Sequence, residues 1–144
     1  MLLAAAALGA LAVLGGCTSY TGSPAHQVAE WASIADVSAN DQLVLQDVAA
    51  IRLSVRKDLL KDVTSNCSGL VFDAGTADGN LPTPDNSLTN QLNAAYQDFV
   101  SGGSSCAAAS SVHSGRVVSA LKTIAAGVVI LEAAERRLAA DGVH

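Results

Sequence analysis

Positive charge and aromatic rings are both scarce in this chain. Eight Lys and Arg stand against thirteen Asp and Glu, for a net charge of −5, and there are two Phe, two Tyr and one Trp among 144 residues. The basic residues fall only within 52–61 and 116–137, and the stretch 62–115 has five Asp and no Lys or Arg. Without a basic stripe to neutralise phosphates, nucleic-acid binding is excluded, and so is a polybasic membrane patch. With so few rings the core must come from Ala, Val, Leu and Ile, which suits close-packed helices better than a sheet sandwich. Only three prolines punctuate the chain, and its length suits one domain.

What the chain does have is an apolar opening. Residues 2–16, LLAAAALGALAVLGG, carry no charge and stop at Cys17, after which TSYTGSP is polar. This run has the length of a signal-peptide h-region and falls short of the roughly 20 residues of a membrane-spanning helix. Leu14, Gly15 and Gly16 directly before Cys17 resemble the lipobox of bacterial lipoproteins, and the alanine-rich, lysine-poor composition resembles small actinobacterial lipoproteins. The resemblance implies a diacylglycerol thioether on Cys17, cleavage between Gly16 and Cys17, and a protein held by acyl chains at the extracytoplasmic face of the cell membrane. Two or more chains make such an anchor stable. The expected organisation is a signal peptide at 1–16, a lipidated tether at 17–24 and one helical domain at 25–144.

With Cys17 lipidated, Cys67 and Cys106 remain. In an oxidising compartment they are expected to pair, and a closed loop of about 40 residues corresponds to roughly 3 to 4 kcal/mol. No CxxC motif or nearby histidine accompanies either residue, so a metal pair is disfavoured.

Helical periodicity organises the rest. Pro24 suits a first turn, with Val28, Trp31, Ile34 and Val37 following at helical spacing. Ser38 and Asp41 read as a capping-box start for a second helix over 41–66, with Val44, Val48, Ile51, Val55, Leu59 and Val63 as its apolar face. Residues 68–86 are rich in Gly, Pro and Asp and read as one long loop. Asp85 can cap a third helix with Leu88, Leu92, Tyr96 and Phe99 on one face, which SGGSS at 101–105 would end. A last helix reaches 140, with Val117, Leu121, Ile124, Val128, Leu131, Glu135 and Leu138 in alternating steps of four and three. Its apolar stretch, 117–131, contains Lys122 and reads as a core helix. The expected fold is all-α, a four-helix bundle. If Cys67 and Cys106 both end helices, the two middle helices run parallel, 68–86 crosses over, and the order is up-down-down-up.

Constellations that could carry chemistry are thin. His26, His113 and His144 lie far apart, and none has a partner at helical ligand spacing. SSVHSG at 110–115 sets serines beside His113 without the geometry of a nucleophile and base. Asp73, Asp78, Asn80 and Asp85 offer oxygen ligands at a spacing unlike a calcium loop, and turn formation explains them. Glu135, Arg136 and Arg137 read as a solvated or interhelical charge group. Asn66-Cys67-Ser68 spells a glycosylation sequon, which a bacterial lipoprotein would not use. The sequence therefore points to no catalytic, metal or cofactor residue, and to a non-catalytic binding or structural module at the cell envelope. Its expected partners are the membrane, through the lipid, and an envelope protein. The alternative is a carrier of a small apolar ligand inside the bundle, and a hydrolase comes last.

Overall fold

A computed structural model describes residues 20–143. The proposed signal peptide, Cys17 and His144 lie outside the described residues. Five helices and no strand occur among those described: α1 (Pro24–Ile34), α2 (Val37–Arg56), α3 (Leu60–Asp78), α4 (Asn86–Ala107) and α5 (Gly115–Ala140). The all-α expectation holds, with one helix more than the sequence reading gave.

α1 starts as its sequence predicts, with Pro24 in the first turn and the Ser23 side chain accepting the His26 N–H. Val28 and Trp31 face inward, whereas Ile34 is 66% exposed. The helix stops because Asp36 adopts a left-handed φ of 49°. Asp36 then also stands as N-cap of α2, without a side-chain capping bond. Ser38 and Asp41 are therefore not a capping box: both lie inside α2, and Asp41 is buried.

The expected single helix over 41–66 is two helices. Asp58, at φ 56°, ends α2 in a Schellman arrangement, its N–H bonding the Val55 carbonyl and the Leu59 N–H bonding that of Ser54. Glycine or asparagine usually fills such a position, so this break carried no ordinary signal. The expected loop 68–86 is corrected too: α3 continues to Asp78, and only about seven residues connect it to α4. Cys67, Leu70, Ala74 and Ala77 are buried along one face, in steps of three and four, and that face holds the helix together through its glycines. SGGSS likewise lies within α4.

From α2 to α5, consecutive helices run antiparallel. Across α2 and α3, Asp47 lies against Gly69 and Ser54 against Asn66. Across α3 and α4, Cys67 is bonded to Cys106 with Cα atoms 5.8 Å apart, Gly103 meets Val71, and Gln97 meets Asp78. Across α4 and α5, Gly102 meets Ile124, Gly127 meets Phe99, and Arg137 pairs with Asp85. The predicted disulfide is thus present, but the parallel course inferred from it is not, nor the up-down-down-up order. Cys67 sits within α3 and not at a helix end, so the bridge ties antiparallel neighbours.

Glycines set how closely the helices approach. A Cβ at Gly102 would lie 2.6 Å from Ile124 Cγ1, and one at Gly127 would lie 3.0 Å from the Phe99 ring. On α5 the buried line is Val117, Ala120, Ile124, Gly127, Leu131, Ala134 and Leu138. It runs one position from the expected one at alternate steps, so that small residues face α4 and Leu121, Val128 and Glu135 flank the seam. By length and composition α5 could cross a membrane; here it packs along α4.

Candidate functional site

The chemistry of this molecule gathers where the start of α2 meets the end of α5. In α2, Val37, Asp41, Val44, Val48 and Ile51 alternate in steps of four and three along the buried face. Asp41 therefore points into the core because its apolar neighbours do, and it is only 3% exposed. Tyr96, carried inward by the same periodicity on α4, donates its hydroxyl to Asp41 Oδ1 at 2.8 Å. Buried carboxylates need such partners.

Burial pushes the Asp41 carboxyl up to about 7, against the stabilising Tyr96 hydrogen bond and with the help of the Glu135 charge on α5. Burial foremost, and then the Asp41 charge, push the Tyr96 phenol up as well, so it stays a donor. Glu135 is also raised, first by burial and then by Glu132, with Arg136 opposing.

A cavity of about 200 Å³ opens beside Asp41. Its apolar wall is Val37, Leu138 and Val143, and its polar groups are Ser38, Gln42, Asp41 and Glu135. The wall on the α5 side is a product of helix capping. Gly142 takes φ 89°, the Gly142 N–H bonds the Ala139 carbonyl and the Val143 N–H bonds that of Leu138. That Schellman end folds Val143 back over Leu138. A second hollow of about 330 Å³ on the α1 side shares Val37, Ser38 and Val143 and adds Asp36. No Lys, Arg or His lines either hollow among the described residues.

No protein-family model matches the chain, and no curated protein or solved structure matches it either.

The residues singled out by sequence are dispersed. Asp73 faces Asp47 across α2 and α3, where burial and then Asp73 push the Asp47 carboxyl up to about 6. Asp47 Oδ2 is buried without a hydrogen-bond partner among the described residues. Asp78 accepts from Gln97, and the Asn80 side chain donates to the Ala35 carbonyl while the Asn80 backbone carbonyl accepts from Trp31 Nε1. Asp85 caps α4 through the Ser87 and Leu88 N–H groups, which with Arg137 hold its carboxyl below the usual range, the Leu88 bond foremost. These four oxygen donors thus serve four separate places, and no group of three or more possible metal ligands occurs among the described residues. His113 is exposed, its Nε2 3.3 Å from Asp58 Oδ1, and His26 is exposed in the first turn of α1. Of the terminal charge group, Arg137 turns to Asp85 and Ser87, while Glu135 turns to the cavity.

Asp41 and Tyr96 are the residues the sequence reading missed as a site. One was assigned to a cap and the other to the core. The available signal was an acid at a seam position, between Val37 and Val44, where the helix could not turn it to water.

Proposed function

We propose that this chain is a lipoprotein of the cell envelope, anchored through acyl groups on Cys17 at the extracytoplasmic face of the membrane. Its domain, a bundle of α2–α5 flanked by α1, acts as a non-catalytic binding module. The observation that carries the anchoring is the apolar run ending in Leu14-Gly15-Gly16-Cys17. Binding is supported by the cavity at the α2 and α5 ends, where apolar walls meet a few convergent polar groups. Tyr20 packs against the core, which leaves only three residues, 17–19, as tether. At most about 10 Å would then separate the anchor from the folded domain.

A carrier of a small apolar ligand inside the bundle is not favoured between α4 and α5, which touch through Gly102 and Gly127. Hydrolysis has no support from His113, whose partner is an exposed aspartate on a turn.

Intact mass of the protein from a bacterial membrane fraction, with and without reductant, tests the reading. The expected species starts at Cys17, carries acyl mass, and gains two hydrogens on reduction. A full-length, unacylated chain from the soluble fraction would overturn the anchor and the compartment together.

A further inference from the structure

We propose that the cavity between the start of α2 and the end of α5 binds a small organic cation, a protonated amine on a short apolar body. Asp41 and Glu135 would be its charge partners and Val37, Leu138 and Val143 its apolar contacts. This deepens the binding reading given above and rests on it.

Size and chemistry both point to that class. A volume of about 200 Å³ is below that of typical drug-sized sites and equals roughly seven water molecules. Two carboxyl groups face the space, one of them 97% buried, and no cationic side chain among the described residues lines it. Asp41 uses Oδ1 for the Tyr96 hydroxyl; no second hydrogen bond ties its other oxygen among the described residues. Its one hydrogen-bond partner among the described residues is the Tyr96 hydroxyl; it caps no helix and pairs with no cation. An ammonium group would supply the missing charge and donors. The walls argue against a bare metal ion, because three of the seven lining residues are aliphatic and only Ser38 and Gln42 add neutral side-chain oxygen. An anion is opposed by the carboxylates, and a wholly apolar ligand would desolvate them further without adding a donor to either.

The groups facing Asp41 are Tyr96 from α4 and Glu135 from α5, with Asp78 of α3 acting on Tyr96. These are neutral or negative, while Glu135 itself has Glu132 and the cationic Arg136 of its own helix beside it. An entering cation therefore favours the ionised carboxylate, and binding should strengthen as pH rises from 5.5 to 8, with proton release at the lower values.

The test is a titration of the full chain in detergent micelles with benzylammonium, following the methyl resonances of Val37, Leu138 and Val143. Benzyl alcohol and calcium chloride are parallel probes. Saturable shifts with benzylammonium alone are expected, weakened about tenfold or more in both Glu135→Gln and Asp41→Asn. Glu135 is half-buried at a helix end, so its variant keeps the fold readable if Asp41→Asn does not. Equal shifts from benzyl alcohol would overturn the cation assignment and leave small-molecule binding standing. Shifts from calcium at lower concentration would overturn it in favour of a metal. No shift from any probe would overturn the proposal and the cavity-binding reading while leaving the lipid anchor untouched.

Discussion

At the scale of residues, the unusual expenditure is in carboxyl groups held away from water. Asp41 is raised to about 7 and Asp47 to about 6, so the folded chain binds protons that the unfolded chain has released above about 4. A raised carboxyl contributes stability that is fully present below its unfolded value and lost as pH rises through its folded one. Urea midpoints should accordingly fall from about pH 4 to about pH 7 and level off above it. Asp41→Asn should remove its share of that decline from about pH 4 to about 7, and Asp47→Asn its share from about pH 4 to about 6; an unchanged slope in both variants would contradict the burial argument. Asp85 works in the opposite sense, since its lowered value means stability lost as pH drops below the ordinary carboxylate range. Tyr96→Phe removes the only donor to Asp41 seen among the described residues. Its cost should be about 1.5 to 3 kcal/mol at pH 8, where the acceptor is charged, and about 0.5 to 1.5 kcal/mol at pH 5, where it is not. Equilibrium unfolding at the two pH values checks this.

Among the helices, glycine has two opposite roles, and burial separates them. Gly102 is where α4 touches α5, and an added methyl would also stand 3.0 Å from the Ala120 carbonyl oxygen, which is backbone and cannot step aside. Gly102→Ala should destabilise by about 1 to 3 kcal/mol. Gly75 is exposed within α3 and has nothing within 4 Å of its would-be Cβ, so Gly75→Ala should stabilise by about 0.5 to 1 kcal/mol through helix propensity. Thermal unfolding of the pair gives both signs in one comparison. The same distinction explains why SGGSS does not end α4. Gly102 and Gly103 cost helix propensity, yet they admit α5 on one side and α3 on the other, and burial of the neighbouring side chains outweighs the cost. The converse holds at Asp58, where a single aspartate in the left-handed region, without glycine or proline beside it, ends α2.

For the whole molecule, the Cys67–Cys106 bridge fastens the middle of α3 to the last turns of α4, across a sequence separation of 39. It constrains the unfolded chain more than it shapes the folded one, since the α3 and α4 seam also has Gly103 against Val71. Replacing both cysteines by serine should retain helical content and lower stability by roughly 3 to 4 kcal/mol, measured by denaturant unfolding against the oxidised parent.

The helical class and the identity of the cysteine pair were both legible in the sequence. So were the cap at Asp85 and the inward faces Val44–Val48–Ile51 and Leu88–Leu92–Tyr96–Phe99. These depend on local spacing or on counting, which a sequence states directly. Only the tertiary structure decided that residues 68–78 are helical, that α5 turns Ala120, Gly127 and Ala134 to α4, and that the cysteine-bearing helices run antiparallel. It also decided that Asp41 and Glu135, far apart along the chain, line one cavity, and that Tyr96 bonds Asp41 from α4. Weak local preferences of Gly, Ala and Asp settle nothing alone; which way they fall depends on the burial that neighbouring helices offer, and burial exists only once the chain has folded.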